Sequence, residues 1–219
     1  MQERLSGYLK DRLRLLASIS HDLRTPLTTL RLKAELLDDV SARDSIVATI
    51  DELTTIWEAT LAFSRAEATA EDARTVDLGA LANDVGEEFR IAEHEVEIAP
   101  TRPHPYACRP VALKRALRNL VENAVRYGRG ARMSVEERGD GIAIVVEDDG
   151  PGVPADQVEI AFQPFVRLEP SRNLETGGLG LGLAIARTIV QAHAGRLTLA
   201  NRREGSLRAE IILPPQRLS

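Results

Sequence analysis

The sequence predicts an α+β protein in two parts, an N-terminal helical hairpin followed by a sheet with helices on one face. In the first part, apolar residues recur at alternating steps of four and three, the spacing of a helical-bundle seam. Large apolar residues then disappear around residues 66–75, which indicates a linker. Helical and strand patterns with long connections follow. We therefore expect a helical domain at 1–66, a linker at 67–75 and a second domain at 76–219.

The helical domain is predicted to be an antiparallel hairpin that pairs with a second copy. Its first helix should run from about Leu5 to Leu37, and residues 38–44 form a polar break. Ser41 or Asp44 can then cap a second helix. The apolar residues of this second helix are Ile46, Ile50, Leu53, Trp57 and Leu61. Two helices cannot bury both of their apolar faces, so we expect a homodimer whose two hairpins form a four-helix bundle.

The second domain is predicted to alternate helices and strands. Asp77 can cap a helix that runs to about His94, and two further helices are expected at 110–127 and 180–194. The predicted strands are 95–98, a short strand near Ala107, 133–137, 142–147, 197–199 and 207–213. Strands 133–137 and 142–147 should form a hairpin through Arg138-Gly139-Asp140-Gly141.

Charge and composition exclude several classes of protein. A net charge of -5 speaks against a nucleic-acid partner. The single cysteine, Cys108, rules out an internal disulfide and suits a reducing compartment. No apolar run approaches the roughly 20 residues that span a membrane, and no secretory signal begins the chain. We expect a cytoplasmic protein or fragment.

A histidine stands beside the seam of the first predicted helix. In the run Ser-Ile-Ser-His-Asp-Leu-Arg-Thr-Pro-Leu at 18–27, His21 falls one position past the seam and should be open to a reagent. Asp22 lies next to it and can influence its protonation, while Pro26 should bend the helix just beyond. The alternative is an ordinary surface histidine.

Three segments of the second domain suggest a ligand site. Asn119 and Asn123 share one helix face, where amide oxygens can hold Mg²⁺, although a plain polar face is the alternative. Asp148-Asp149-Gly150-Pro151-Gly152 follows an apolar strand and could otherwise be a simple turn. The glycine-rich run 177–183 opens a helix whose free N–H groups can bind phosphate. A P-loop is excluded because its motif is absent.

Taken in order, these motifs resemble those of sensor histidine kinases. Residues 18–27 match the family's H-box, and four later segments match the boxes of its ATP-binding domain, the Bergerat (GHKL) fold. These are the N box Asn119-x-x-x-Asn123-Ala124-x-Arg126-Tyr127, the G1 box Asp148-x-Gly150-x-Gly152, the F box Phe162-Gln163-Pro164-Phe165 and the G2 box Gly178-x-Gly180-x-Gly182-Leu183. The resemblance covers essentially the whole chain and is greatest to the osmosensor (EnvZ-like) subgroup.

The resemblance implies a set of nucleotide contacts. Asp148 would bind the adenine amino group, Asn123 would hold Mg²⁺ with support from Asn119, and Tyr127 would pack on the base. Arg126 would lie near the phosphates. Residues 166–176 would form a lid, whose Arg167 and Arg172 would neutralise the γ-phosphate. The remaining expected contacts come from the boxes: Gly150, Gly152, Phe162, Gly178, Gly180, Gly182 and Leu183. Leu179 stands where the family commonly has a hydroxyl residue.

The implied reaction is transfer of the γ-phosphoryl group of ATP to His21 and then to an aspartate on the receiver domain of a response regulator. Asp22 would hold the opposite ring N–H during the attack. In this family a threonine at the position of Thr25 places water to dephosphorylate the regulator, whereas a threonine that merely precedes Pro26 is the alternative. The chain would be the cytosolic part of an inner-membrane sensor, attached to the membrane only through an upstream segment.

Two other functions are compatible with parts of the pattern. An ATPase clamp with the same nucleotide fold would keep the later boxes but has no need of the H-box. A dimeric scaffold without enzyme activity would lack nucleotide ligands, and none is missing from the boxes. Whether His21 would be phosphorylated within one subunit or across the dimer stays open, because the sequence does not fix the handedness of the hairpin turn.

Overall fold

The computed structural model describes residues 26–51, 53–54, 71–168, 180–202 and 206–216. The chain divides into two compact units, Met1–Thr69 and Ala70–Ser219. Within the described part, no helix is both long and apolar enough to cross a bilayer.

The described part of the first unit is a pair of helices, α1 (residues 26–35) and α2 (40–51 and 53–54). Ala34 and Ile50 are buried, and Arg31 bonds Asp51 across the pair at 2.6 Å. The turn is shorter than the predicted break at 38–44, since only residues 36–39 are non-helical.

The predicted caps of the second helix, Ser41 and Asp44, are wrong. The carboxylate of Asp39 accepts hydrogen bonds from the N–H groups of Ser41 at 2.9 Å and Ala42 at 3.1 Å. Asp39 therefore caps α2, because it stands directly before the first helical residue and can satisfy two of its free donors.

The described strands of the second unit are β1 (Arg74–Asp77), β2 (Val96–Ile98), β3 (Pro105–Cys108), β4 (Ala131–Arg138), β5 (Gly141–Glu147), β6 (Arg196–Asn201) and β7 (Leu207–Leu213). These strands form two sheets. A five-stranded sheet has the order β2-β4-β5-β7-β6, with β2 parallel to β4 and every other pair antiparallel. A two-stranded sheet pairs β1 with β3.

Three helices of this unit pack on the sheet: α3 (Leu78–Ile91), α4 (Pro110–Gly128) and α5 (Gly182–Gln191). Buried and accessible residues alternate along β4, where Met133 and Val135 are buried. On the opposite face charged side chains pair across strands, with Arg208 bonding Glu147 at 3.0 Å. The expectation of helices over one face of a sheet is confirmed.

Several boundaries differ from the predicted ones. Arg74 and Thr75 were expected in the linker, yet they begin β1 because that short segment pairs with β3. Asp77 caps α3 as predicted, accepting from Gly79 N–H at 2.9 Å. The helix ends at Ile91 instead of His94, because Glu93 adopts a left-handed conformation with φ 63°. The last helix is shorter than 180–194 at both ends.

Candidate functional site

Two amide side chains lie half-buried on the face of α4 that meets α5. The Asn119 side-chain nitrogen is buried without a hydrogen-bond partner. A Cβ on Gly182, at the start of α5, would lie 3.8 Å from the Asn119 Cβ, so the two helices approach closely here. One turn further along α4, the amide of Asn123 makes no hydrogen bond within the part of the chain that the structure describes. Both polar groups are therefore available to a ligand.

The carboxylate of Asp148 lies at the end of β5 and is only 7% exposed. Its Oδ1 accepts from the Gly150 N–H at 2.8 Å, and among the described residues no side-chain donor bonds its Oδ2. Burial raises the pKa of Asp148 above its ordinary value, and the hydrogen bond from Gly150 opposes that rise. The arrangement leaves one carboxylate oxygen able to accept from a donor on a ligand.

Close approach of two elements seats Asp148 in this position. A Cβ on Gly128, in the last turn of α4, would lie 2.3 Å from the Asp148 Cβ. A Cβ on Gly150 would lie 2.8 Å from both Asp148 Oδ1 and the Tyr127 carbonyl oxygen. Gly150 was predicted as a site residue and Gly128 was not. A glycine inside a helix was the only sequence signal for Gly128, since its contact depends on where α4 ends against β5.

An ion pair fixes the exposed side of the same loop. The Arg132 guanidinium on β4 binds both carboxylate oxygens of Asp149, at 2.5 and 2.7 Å. This pairing lowers the pKa of Asp149. The neighbouring acids Asp148 and Asp149 therefore differ in their surroundings. Asp148 is buried, whereas Asp149 is paired with Arg132 at the surface.

Gly180, just before α5, lies against the first residues of the predicted lid. Gly180 has φ 69°, and a Cβ there would lie 2.5 Å from the Val166 carbonyl oxygen. The Gly180 carbonyl accepts from the Phe165 N–H at 3.0 Å, next to Val166, where the predicted lid begins. Leu181 precedes α5 and supplies no side-chain cap, so within the described residues the first N–H groups of the helix are available to an anion.

The other predicted site residues lie in different surroundings. Phe162 is buried in a 3₁₀ turn (Ile160–Phe162), with the Arg187 guanidinium 4.6 Å from its ring centre, so its ring packs against α5. Arg126 pairs with Glu122 at 3.1 Å, one turn earlier on α4. Tyr127 is exposed, while Gly152, Arg167 and Leu183 are half-buried.

Comparison with known proteins accounts for both units. Residues 11–69 match the family model of the His Kinase A (phospho-acceptor) domain. Residues 108–217 match the model of the histidine kinase-, DNA gyrase B-, and HSP90-like ATPase. The chain belongs to the histidine kinases. It carries the two domains of a transmitter core, and the second is the ATP-binding domain.

Individual histidine kinases are similar along most of the chain. Sensor histidine kinase GtrS of Pseudomonas aeruginosa is 41% identical over 214 residues, which cover 98% of this chain and 44% of the relative. Sensor histidine kinase CpxA of Escherichia coli is 36% identical, covering 92% of this chain and 46% of the relative. The chain thus spans less than half the length of either protein.

Among solved structures, full-length ShkA in complex with AMPPNP is similar with a TM-score of 0.65 and 26% identity. The match covers 93% of this histidine kinase and 47% of ShkA. The fold predicted from the sequence, a helical phospho-acceptor domain followed by a Bergerat-type α/β sandwich, is confirmed.

Five of the predicted site residues lie outside the described part of this histidine kinase. They are His21, Asp22, Thr25, Arg172 and Gly178. The structure does bring together Asn119 with Gly182, and Asp148 with Gly150.

Proposed function

We propose that this chain autophosphorylates His21 with ATP and passes the phosphoryl group to an aspartate on a response regulator. The observation that carries the proposal is the buried carboxylate of Asp148, whose Oδ2 has no side-chain donor among the described residues, in a domain of the ATP-binding family. The acceptor half is supported by the match of residues 11–69 to the phospho-acceptor domain.

Adenine would be recognised by Asp148. The ionised carboxylate can accept a hydrogen bond from the adenine amino group through Oδ2, while Oδ1 stays bonded to the Gly150 N–H. Tyr127, exposed at the end of α4, is placed to cover the base. Gly128 and Gly150 leave the space that the Asp148 side chain occupies, because a Cβ on either would contact it.

The phosphates would be bound between α4 and the start of α5. The N-terminus of α5, which no described side chain caps, favours an anion, and the unpaired Asn119 nitrogen can donate to it. The amide oxygen of Asn123 suits Mg²⁺, which would neutralise charge on the phosphates when bound. Arg126, and Arg167 and Arg172 of the lid, would add positive charge.

In the transfer step, a nitrogen of His21 would attack the γ-phosphorus as the bond to the β-phosphate oxygen breaks, releasing ADP. Asp22 would hold the proton on the opposite ring nitrogen and stabilise the positive ring. The phosphoryl group would then pass to the receiver-domain aspartate. Thr25 would position the water that removes phosphate from that aspartate, which is the opposing phosphatase activity.

The active form would be a homodimer. Among the described residues of α1, α2 and the turn between them, several large apolar side chains are exposed in the single chain, and a second hairpin would bury them. They are Leu30, Leu36, Val40, Ile46 and Leu53. The chain would work as the cytosolic part of an inner-membrane sensor, and its place in the EnvZ-like subgroup stays a prediction.

The test is labelling from γ-labelled ATP. His21→Gln should abolish acid-labile, alkali-stable label on the protein while calorimetry shows unchanged nucleotide affinity, because His21 accepts phosphate and does not bind the nucleotide. His94→Gln, at an exposed position just after α3, is the matched control and should label normally. Label that persists in His21→Gln would disprove the assignment. Release of free phosphate without any protein label would point to an ATPase clamp.

A further inference from the structure

The loop that carries Asp148 is held at both of its ends by one pair of residues on the β6–β7 hairpin. At the start of the loop, the Asp148 N–H donates to the Leu207 carbonyl at 3.0 Å. At its end, Asn201 Oδ1 accepts from the Val153 N–H at 2.8 Å, and Asn201 Nδ2 donates to the Val153 carbonyl at 2.5 Å. Asn201 and Leu207 are themselves direct partners in the strand register.

The loop between these anchors needs external support. It contains Gly150 and Gly152, and Gly152 has φ 74°, so the chain has wide conformational freedom there. Val153 is 9% exposed, and its backbone N–H and C=O both require partners. The Asn201 amide satisfies both at once, which no hydroxyl or carboxylate side chain could do with the same geometry.

We propose that Asn201 is a positioning residue for adenine recognition, acting through the loop to fix the direction of the Asp148 carboxylate. The proposal rests on the proposed function, in which Asp148 Oδ2 accepts from the adenine amino group. A hydrogen bond weakens steeply when its angle departs from linear, so a loop free to shift at Val153 would lose part of the adenine contact. Asn201 does not touch the nucleotide in this scheme.

The location of Asn201 separates this role from a general contribution to folding. Asn201 is exposed, so truncation of its side chain to alanine leaves no cavity in the core. The loss should therefore fall on the loop and on the part of the ligand that Asp148 reads. A purely structural role would weaken every nucleotide equally.

The experiment compares two ligands that differ only in the group read by Asp148. ADP and purine riboside 5′-diphosphate, which has hydrogen in place of the amino group, are titrated with Mg²⁺ into the full chain by calorimetry. We expect Asn201→Ala to weaken ADP binding roughly three- to tenfold, the range for losing one or two neutral hydrogen bonds. Binding of the purine analogue should change less than about twofold, since it makes no hydrogen bond to Asp148.

The matched control is Asn83→Ala. Asn83 is an exposed amide on α3 that makes no hydrogen bond within the described residues, and its removal should leave both affinities unchanged. Asn201→Ser gives the same comparison if the alanine variant does not fold. The ratio of the two affinities is informative in either case, because unfolded protein lowers the binding stoichiometry and not the ratio.

The outcomes distinguish this inference from the proposed function. Wild-type protein that binds both ligands equally would disprove adenine recognition by Asp148. Wild-type discrimination that survives intact in Asn201→Ala would overturn the role of Asn201 alone. An equal loss for both ligands would show that Asn201 is structural only, which also overturns the proposal.

Discussion

At the scale of single residues, the site depends on a carboxylate that is buried yet must act as an acceptor. Asp148 is kept from water on one side by the end of α4 and on the other by its own loop. Backbone hydrogen bonds from Gly150 and Leu207 stabilise its charged form and partly offset the cost of burial. A ligand donor would complete that compensation.

Asp148→Asn should weaken ADP binding by about 10- to 100-fold. A hydrogen bond to a charged acceptor contributes about 1.5–3 kcal/mol, and the amide lacks that charge. Calorimetric titration measures the change. Asp140→Asn, in the exposed β4–β5 turn, is the control and should bind normally. Unchanged affinity in Asp148→Asn would remove this residue from the site.

The raised pKa of Asp148 also gives the direction of a pH effect. Protonation removes the charged acceptor, so ADP affinity should fall as the pH is lowered through the raised pKa, at a higher pH than for an ordinary aspartate. The affinity ratio of wild type to Asp148→Asn at each pH cancels the titration of the nucleotide phosphates. A ratio that does not vary with pH would contradict the prediction.

Gly128→Ala should destabilise the second unit and weaken ADP binding. Alanine favours a helix by about 1 kcal/mol, but its Cβ would lie 2.3 Å from the Asp148 Cβ, and such overpacking costs about 1–3 kcal/mol. The clash should win because both groups are fixed to backbone. Gly139→Ala, with nothing within 4 Å of its Cβ, is the control for chemical denaturation and calorimetry. Equal behaviour of the two variants would show that α4 can move away from Asp148.

At the scale of secondary-structure elements, the spacing of apolar residues predicted those helices and strands that depend on the local sequence. Helix α4 and the β4–β5 hairpin lie where the apolar spacing placed them. Strand β1 was missed because its four residues are extended only through pairing with β3, a contact distant in sequence. The cap at Asp39 was missed because a polar turn offers several equivalent oxygens.

The candidate site divides in the same way. Asn119, Asn123 and Asp148 could be predicted because residue type and spacing along one element identify them. Gly128 and Asn201 could not, because each contributes through a neighbouring element: α4 against β5, and β6 against the loop after β5. The sequence does not show which of its distant residues come into contact when the elements pack together.

Helix α4 begins with a cap supplied from far along the chain. Arg109 precedes it without a capping side chain, while the two Glu71 carboxylate oxygens accept from the N–H groups of Val111 at 2.8 Å and Ala112 at 3.0 Å. Glu71 falls in the predicted linker, so this segment is bonded to the helix that carries Asn119 and Asn123. A negative charge at a helix N-terminus is stabilising in addition to its hydrogen bonds.

Glu71→Ala should lower the unfolding free energy of the second unit by about 1–2 kcal/mol, the range for loss of an N-cap. Urea denaturation followed by circular dichroism measures it. Asp72→Ala removes an adjacent exposed acid and should have little effect. If the two variants unfold at the same urea concentration, Glu71 does not cap α4 in solution.

At the scale of the whole molecule, the matches to the ATP-binding domain and to the phospho-acceptor domain belong to separate compact units. The ATP-binding family match lies in the second unit, and the phospho-acceptor match lies in the first. Nucleotide binding should therefore be insensitive to changes in the first unit, whereas phosphoryl transfer needs both. This division makes it possible to alter one chemical step of the first unit without disturbing the nucleotide site.

Thr25→Ala should separate the two activities proposed for the first unit. Autophosphorylation needs the nucleophile His21 and its partner Asp22, and both are retained, so its rate should be unchanged. Dephosphorylation of the regulator needs a positioned water and should be mostly lost. Asp22→Asn should do the opposite and slow autophosphorylation by about 10²- to 10⁴-fold, the usual loss for an oriented acid–base group.

Both rates are measured on each variant with the cognate regulator. Thr49→Ala, which removes an exposed helix hydroxyl from α2, is the control and should keep both rates. If Thr25→Ala slowed both reactions equally, the substitution would have disturbed the helix beside Pro26, and the hydroxyl would have no separate part in water placement. If Thr25→Ala slowed only dephosphorylation of the regulator, the hydroxyl would act on the attacking water. Autophosphorylation would be unaffected because His21 and Asp22 are both retained.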